Sequence, residues 1–283
     1  MKDGVDLALA VRLERAEGLA NAAYVDARRE VQPEIGAEWT EVSGVLAMFD
    51  GVGSPITQTF GLGLDPSLDE AGMGRLEEFF ARHGAVTAHE VCSFANPAVL
   101  SLLSARRYSP IEASVVLVRP TAQDGSARPG AVTVRIVEDA VASGWARVAG
   151  QGWGSESAEL AGFVEDFGRV IARARGVQCF LAELDGVAIA AGALNISNGI
   201  ALLAGASTIP AARRQGAQRA LLEARLAFSA ALGIDLAMVV TAPGSASQRN
   251  AERQGFRPIY TRAKWQKVEQ LKLNESLPTA LSA

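Results

Sequence analysis

The sequence predicts an α/β protein of two domains, each with a mixed, twisted sheet flanked by helices. Between residues 131 and 267, short apolar runs alternate with segments of helical periodicity, which is typical of α/β domains. A polar stretch rich in glycine, serine and proline, residues 121–130, precedes this region. The first half of the chain repeats the order of predicted elements found in the second half. We therefore predict a domain over 1–120, a linker over 121–130, a second domain over 131–270 and a loose tail over 271–283.

The second half divides into strands and helices in a clear order. Strands are predicted at 132–137, 178–183, 187–195, 200–207, 234–241 and 257–266. The pair Asp185-Gly186 is typical of a tight hairpin. Helices are predicted at 139–149, 157–173 and 245–254. A further helix carries apolar residues at helical spacing and ends before Gly233, a residue typical of a helix C-cap.

Matching pieces in the two halves indicate the duplication. Residues 96–108 and 244–256 both predict a turn, a helix and a turn. Residues 69–74 open a helix that runs to Arg82, as residues 213–218 open the long helix of the second half. Pro66 precedes the first of these motifs, and Pro210 precedes the second.

Composition excludes several classes of function. The chain has 283 residues, of which 49% are apolar and 20% charged, with a formal net charge of -4. Nucleic-acid-binding proteins usually present a basic face, and this charge does not indicate one. It does not indicate binding to an anionic membrane surface either. The acidic N-terminus does not resemble a signal peptide, and the apolar runs are too short to span a bilayer. Cys92 and Cys179 do not form a disulfide framework. We expect a cytoplasmic protein.

The segment 207–222 carries the strongest chemical signal. A strand is followed by Pro210 and by a basic turn with Gly216, and a long helix begins there. A helix N-terminus has about four unpaired backbone N–H groups and roughly half a positive charge, which suit a pyrophosphate. Arg213, Arg214 and Arg219 add cationic donors. The turn lacks the lysine and the serine or threonine of a P-loop, so a nucleotide triphosphate cradle is excluded.

These residues resemble the signature of the GNAT N-acetyltransferase superfamily: Arg or Gln, two residues, Gly, one residue, then Gly or Ala. Arg213, Gly216 and Gln218 occupy those places, and Gln218 departs from the small residue. The later signature of the family is matched by residues 244–256. The resemblance covers about 131–267 and, more faintly, 44–119. It implies a tandem arrangement in which the N-terminal GNAT-like domain is degenerate.

The resemblance also implies a site and a reaction. Acetyl-CoA would be the acyl donor, and it would bind where the strands at 200–208 and 234–241 splay apart. The acceptor would be an amine of a small molecule or a peptide. The strand near Thr208 and Ile209 would bind the pantetheine arm. The turn that would hold the pyrophosphate comprises Arg213, Arg214, Gln215, Gly216, Ala217, Gln218 and Arg219. Ser245, Ser247 and Asn250 are further candidates for cofactor contact. No metal is implied, and the oligomeric state stays open.

Catalytic groups are harder to assign. The family often carries a tyrosine general acid where Ala251 stands and an acid on the strand at 200–207, and this chain has neither. Tyr260 is our candidate for the general acid, and Glu183 is the nearest candidate for a base by chain position. A neutral amine would need only positioning. The alternative function is a non-catalytic CoA-binding, acyl-CoA-binding or interaction protein on a decayed acetyltransferase fold.

Simpler interpretations stand beside several of these assignments. The arginines around Gly216 would also suit a solvated helix start, and the polar residues at 245–250 would suit a helix cap. Tyr260 would suit the surface of a strand. His83, His89 and Cys92 invite a metal site, but alternation on a strand places His89 and Cys92 on opposite sides. The segment 152–154 would line the acceptor pocket or pack between helices.

The first domain carries acids where the second carries arginines. Asp65, Asp69 and Glu70 precede or open its helix, in the place of Arg213 and Arg214. Carboxylates suit the positive end of a helix, and they repel a pyrophosphate and compete for the same N–H groups. We therefore predict that the first domain does not bind CoA.

Overall fold

A computed structural model describes residues 6–122, 130–138 and 142–268. Most of the predicted linker and all of the predicted tail lie outside these ranges. The described chain divides into two compact units. The first contains the described residues up to Leu117 and from Val240 onward, and the second contains Val118–Val239.

The helices and strands follow in chain order. The first part of the chain contains α1 (Leu7–Val31), β1 (Glu38–Val42), β2 (Val45–Phe49), β3 (Gln58–Phe60), α2 (Glu70–Arg82), β4 (Ala88–Cys92), α3 (Pro97–Ala105) and β5 (Tyr108–Pro120). The second contains β6 (Val132–Ile136), α4 (Ala142–Gln151), α5 (Ala158–Ile171), β7 (Val177–Leu184), β8 (Val187–Ser197), β9 (Ile200–Thr208), α6 (Ala217–Ala231), β10 (Leu236–Thr241), α7 (Ala246–Arg253) and β11 (Arg257–Lys267).

The sheet of the first unit has the strand order β1-β2-β3-β4-β11-β5. β1, β2 and β3 pair antiparallel, and β3 and β4 pair in parallel. β11 pairs antiparallel with β4, from Arg262↔Cys92 to Gln266↔Ala88. Because of this pairing, α7 and β11 belong to the first compact unit. The predicted boundary, which kept 131–270 together, therefore differs from the units of the structure.

Helices cover both faces of the first sheet. α1 begins at Asp6, whose carboxylate accepts the N–H of Leu9. It packs on one face, where a Cβ on Gly18 would lie 2.7 Å from the side chain of Leu46. α2 and α3 pack on the other face, in a cluster that includes Phe49, Leu76, Phe80, Val91 and Leu103. The sequence patterns predicted α2 and α3 but not α1.

The sheet of the second unit has the order β10-β9-β8-β7-β6. β6, β7, β8 and β9 pair antiparallel in succession, and β9 and β10 pair in parallel. The predicted hairpin at Asp185-Gly186 is confirmed, since these two residues join β7 and β8. The predicted α/β class is confirmed as well, since each unit is a mixed sheet with helices packed on it.

α4 and α6 pack on opposite faces of the second sheet. Ser207, which pairs with Ala191, donates its hydroxyl to the carbonyl of Ala149 in α4. The next residue of β8, Gly192, faces Arg225 of α6. Neighbouring residues of a strand point to opposite faces, so the two helices enclose the sheet. Trp145 of α4 is 1% exposed and anchors this core.

Candidate cofactor site

β9 separates from β10 towards its carboxyl end. The parallel pairing runs from Leu236↔Ile200 to Met238↔Leu202, whereas β9 continues to Thr208. On its other side β9 carries a bulge: Ala191 and Ala193 of β8 pair with Ser207 and Ala204, which leaves one extra residue in β9. Residues 204–206 are partly exposed in this otherwise buried strand. The arrangement opens one end of the sheet.

Gly205 allows this bulge to form. Its φ is +60°, in the left-handed region that glycine adopts without strain. A bulge of this kind increases the twist and bends the strand. β9, bent at this bulge, continues through residues 203–208 beyond its last pair with β10.

The first turn of α6 has no side-chain cap. Its N-cap is Gly216, at φ 87° and ψ 0°, and no side chain of the described residues caps it. Other described helices use a polar cap, namely Asp6 for α1, Asp69 for α2, Asn96 for α3, Ser157 for α5 and Ser245 for α7. The N-terminus of α6 can therefore accept an external anion.

The three arginines of the turn differ in their partners. Arg213 donates to the carbonyl of Gly152 and to Ser155 Oγ, both at 3.0 Å. Arg219 forms an ion pair with Glu223 at 2.7 Å. Arg214 is exposed, lies at φ 65°, and has no hydrogen bond or ion pair within the described residues. A positive φ is uncommon for a non-glycine residue.

The end of β9 and the start of α6 are joined by side chains. Gln218 Nε2 donates to Thr208 Oγ1 at 2.8 Å. The backbone N–H of Ile209 donates to Ile189, and its carbonyl accepts the N–H of Ala212. Both backbone groups of Ile209 thus have partners within the chain. Binding of the pantetheine arm by the strand near Thr208 and Ile209 stays a prediction. In the turn, Gln215 is exposed, whereas Ala217 is buried.

The loop between α4 and α5 lies against the same strand end. A Cβ on Gly152 would lie 2.4 Å from the Cβ of Ser207 and 3.1 Å from the backbone nitrogen of Thr208. Together with the bonds from Arg213, this close approach fixes residues 152–155 beside β9. Arg213 therefore holds this loop, whereas Arg214 has no hydrogen bond or ion pair within the described residues.

Comparison with known proteins finds a family match for the segment that contains this turn. Residues 139–256 match the model of the Acetyltransferase (GNAT) family. This segment is a GNAT domain. Among curated proteins, none matches the chain by sequence. The motif residues 213–218, the uncapped helix and the opened strand all lie inside the matched region.

Solved structures of GNAT proteins share the fold. A GCN5-related N-acetyltransferase from Kribbella flavida is 18% identical, with a TM-score of 0.59, over 87% of this chain and 95% of that chain. A second one, from Sphaerobacter thermophilus, is 14% identical with a TM-score of 0.53, over 93% and 94% of the two chains. A tandem GNAT protein from the clavulanic acid biosynthesis pathway is 15% identical with a TM-score of 0.55, over 78% and 77%.

The predicted contact residues at 245–250 already have structural uses. Ser245 caps α7 by accepting the N–H of Gln248 at 3.0 Å. Asn250 Oδ1 accepts from Arg253 at 2.6 Å. Ser247 is half-buried. α7 belongs to the first compact unit, whereas the turn at 213–219 belongs to the second. The cap interpretation explains Ser245.

The predicted general acid, Tyr260, lies in the interior of the first unit. It is 6% exposed, and its hydroxyl donates to Glu14 Oε1 at 2.7 Å. Burial raises the pKa of Tyr260 well above its ordinary value, and the charge of Glu14 adds to this effect. A tyrosine held in this way is a poor source of protons for a leaving group. Its hydroxyl belongs to a buried network on α1.

That network joins α1 to β4 and β11. Arg262 contacts Glu17 at 2.6 Å, Glu14 at 3.3 Å and Glu90 at 3.6 Å. Burial raises the pKa of Glu14 to about 7, and Arg262 opposes this effect. Sequence patterns gave no signal for Glu14 and Glu17, because buried acids on a helix resemble solvated ones.

The remaining candidates are separated in the structure. Glu183 forms an ion pair with Arg135 at 2.6 Å in the β6–β7 pair, two strands away from β9. His89 hydrogen-bonds Thr59 at 2.8 Å, and His83 contacts Glu38. Within the part of the chain that the structure describes, no three His, Cys, Asp or Glu residues form a group that could hold a metal ion. No described helix has the length and apolar character needed to cross a membrane.

The first unit has a different helix start at the matching position. The carboxylate of Asp69 accepts the N–H of Gly72 at 2.7 Å, in the first turn of α2. Asp65 accepts the N–H of Ser67 at 2.7 Å. The N–H groups that are uncapped in the GNAT domain are thus partly occupied by an acid here.

Proposed function

We propose that the GNAT domain binds acetyl-CoA or a similar acyl-CoA and transfers the acyl group to an amine. The observation that carries this proposal is the uncapped start of α6 beside Arg214, at the point where β9 has left β10. An uncapped helix N-terminus supplies several N–H donors and a positive field to a pyrophosphate. A cation without a partner adds charge-assisted bonds.

The part of β9 beyond its last pair with β10 suits the rest of the cofactor. A strand that has lost its neighbour presents backbone groups to an extended ligand, as in strand addition. A pantetheine arm carries amides that match such groups. The loop at 152–155 lies against Ser207 and Thr208, at the end of β9 next to the turn, and would border the cofactor there.

One set of observations favours a second function, a protein that binds acyl-CoA without turnover. Tyr260 is engaged by Glu14, Ala251 has no acidic proton, and Glu183 is paired with Arg135. Neither a general acid nor a base is evident beside β9 among the described residues. An amine that arrives neutral would need only positioning, so transfer stays our first choice.

The first unit is proposed to leave CoA unbound. The bond from Gly72 to Asp69 occupies the helix start, and a second acid, Asp65, lies just upstream. Both charges oppose a pyrophosphate. We therefore propose one cofactor site per chain.

The test is ligand binding by wild-type protein and by two charge-reversal variants. Acetyl-CoA should raise the melting temperature, because a ligand that binds only the folded state stabilises it. Arg214→Glu should weaken binding about 10- to 100-fold, since a charge-assisted hydrogen bond contributes about 1.5–3 kcal/mol. Arg175→Glu is the control: it is an exposed arginine that makes the same change of charge near the other end of β9.

The outcomes are distinct. Equal affinity in Arg214→Glu and Arg175→Glu would place the pyrophosphate elsewhere. No thermal shift with millimolar acetyl-CoA would contradict the cofactor assignment altogether. If binding holds, release of free CoA thiol in the presence of a panel of amines separates transfer from binding alone.

A further inference from the structure

Three buried polar atoms on one face of the first sheet have no hydrogen-bond partner among the described residues. They are Gln58 Oε1 of β3, Glu90 Oε2 of β4 and Gln266 Nε2 of β11. These three strands are neighbours in the sheet, and the three residues are only 5–7% exposed. Buried polar atoms in proteins are normally hydrogen-bonded, so three orphaned atoms on adjacent strands indicate a polar occupant.

The strand register places these side chains around Ala88. Gln266 of β11 pairs directly with Ala88 of β4. The pairing of β3 with β4 places Gln58 on the other side of Ala88. Glu90 follows Ala88 by two residues, so it points to the same face. Three long polar side chains thus surround one methyl group, and we name the space above it the Ala88 pit.

The Ala88 pit opens on the side of the sheet that α1 covers. Arg262 and Gln266 are four residues apart on β11, so they share a face, and Arg262 donates to Glu17 of α1 at 2.6 Å. The floor of the pit, Ala88, is 8% exposed. The opening is therefore narrow, and a ligand has to present a small group to reach the floor.

The charges beside the pit favour a cation. Contacts link four acids and two bases on this side of the sheet: Glu14, Glu17, Glu90, Glu112, Arg262 and Lys264. Arg262 binds Glu17 through both terminal nitrogens, at 2.6 and 3.2 Å. Lys264 lies 3.8 Å from Glu112. Glu90 has only Arg262 Nε at 3.6 Å, too long for a hydrogen bond, and burial raises the pKa of Glu90. A cation next to Glu90 would balance these charges.

We propose that the first unit binds a small primary amine in the Ala88 pit, where the ammonium group donates to Glu90 and to Gln58 Oε1. An ammonium group has three N–H donors and a positive charge, which match a carboxylate and an amide oxygen. Gln266 Nε2 is a donor, so it binds an oxygen of the same ligand. This site goes beyond the proposed function, because it lies in the first unit and uses neither acyl-CoA nor the turn before α6.

The test is titration of the full-length chain with ethanolamine, which carries an ammonium group and a hydroxyl, in the absence of acetyl-CoA. Proton–nitrogen NMR follows the side-chain amide signals of Gln58 and Gln266, assigned by their absence in Gln58→Leu and Gln266→Leu. Both signals should move saturably, with a Kd on the order of 1 mM, since so small a ligand forms few contacts. Choline keeps the charge and the hydroxyl but has no N–H donor, and ethylene glycol has no charge, so neither should saturate the shift.

Variants identify the groups that bind the amine. Glu90→Gln should weaken ethanolamine binding about 10-fold or more, because it removes a charge-assisted hydrogen bond. Glu34→Gln is the matched control: it removes the same charge at an exposed position of the first unit and should keep the wild-type Kd. Ala88→Val fills the floor of the pit and keeps every polar group, so it should abolish binding, and it tests the site if Glu90→Gln does not fold.

Each result decides. Amide signals that do not move in the wild type, or an equal Kd in Glu90→Gln and Glu34→Gln, overturn the site. Choline that binds as tightly as ethanolamine overturns recognition through the ammonium N–H groups. A saturable shift that both Glu90→Gln and Ala88→Val remove, and that Glu34→Gln keeps, supports the inference. Because the titration contains no acetyl-CoA, failure of the cofactor assignment leaves this result unchanged.

Discussion

Glu14→Gln should change the pH dependence of stability. Glu14 is 1% exposed on α1, and Oε2 has no hydrogen-bond partner among the described residues. The groups around it are Tyr260 and Arg262 of β11, Glu17 of α1, and Glu90 and Cys92 of β4. Burial is the largest cause of its raised pKa, which Arg262 and the Tyr260 hydroxyl lower and the neighbouring acids raise.

The magnitude follows from the two pKa values of this carboxyl. The folded value is about 7 and the ordinary value is 4.5. Because the folded state holds the proton more tightly, this group favours folding below pH 4.5, and that stabilisation is lost as the pH rises through 7. One pKa unit corresponds to about 1.4 kcal/mol, so the change between these limits is about 3 kcal/mol.

The assay is urea unfolding of wild type and Glu14→Gln at several pH values between 4.5 and 8. Glutamine cannot titrate, and other groups cancel in the difference between the two proteins. The unfolding free energy of Glu14→Gln minus that of wild type should therefore rise by about 3 kcal/mol across this range. Tyr260→Phe removes a bond that lowers the pKa of Glu14, so its midpoint should move to higher pH.

A difference that stays constant between pH 4.5 and 8 would refute the reasoning. It would mean that Glu14 keeps an ordinary pKa, and that Arg262 offsets the burial fully. A difference that falls with pH would mean that the ion pair with Arg262 outweighs burial. A midpoint that stays unmoved in Tyr260→Phe would show that the 2.7 Å hydroxyl bond does not govern this carboxyl.

Three further predictions concern the rest of the molecule. Tyr260→Phe should lower the unfolding free energy by about 1–2 kcal/mol and leave acetyl-CoA affinity unchanged, and a loss of turnover at full stability would restore its role as general acid. Calorimetric titration with acetyl-CoA should give one site per chain, whereas two equivalent sites would show that Asp69 does not exclude the cofactor. Gly152→Ala should destabilise the protein by about 1–3 kcal/mol in urea unfolding, because the new Cβ would overlap Ser207. In the control Gly154→Ala the new Cβ meets only a carbonyl oxygen at 3.4 Å, and equal stabilities of the two variants would contradict the close packing of Gly152.

Local patterns predicted most elements, because each carried its own signal. The Asp185-Gly186 pair fixed a hairpin, and Gly233 follows α6 at φ 76°. The periodicity of apolar residues predicted the bounds of β9, α6 and α7 to within a few residues. The basic turn at Gly216 stood out because arginines and a glycine directly precede a long helix.

Long-range pairing was not predictable in this way. β11 alternates apolar and polar residues like any half-buried strand, and this alternation does not indicate that β11 pairs with β4. α1 was missed because its buried side is built from small residues and from Glu14, which weakens the apolar stripe.

The hydrogen-bond and ion-pair partners of the arginines were not predictable from the sequence either. Arg213, Arg214 and Arg219 are alike in sequence. Arg213 nevertheless holds a loop, Arg219 binds Glu223, and Arg214 has no partner among the residues that the structure describes. Arg225 looks like an ordinary helix surface residue four positions after Leu221, and only the β9 bulge explains its burial. Side-chain roles depended on backbone features that no local pattern encodes.

The position of β11 has a consequence for biosynthesis. It is the last strand of the described chain, yet it lies between β4 and β5, which a ribosome makes much earlier. Until translation reaches residue 267, the nascent first unit has two facing strand edges without a ladder between them. Such edges are sites of aggregation and of mispairing. The first unit therefore completes its sheet only after residue 267 has been made, and until then the edges of β4 and β5 are open to mispairing.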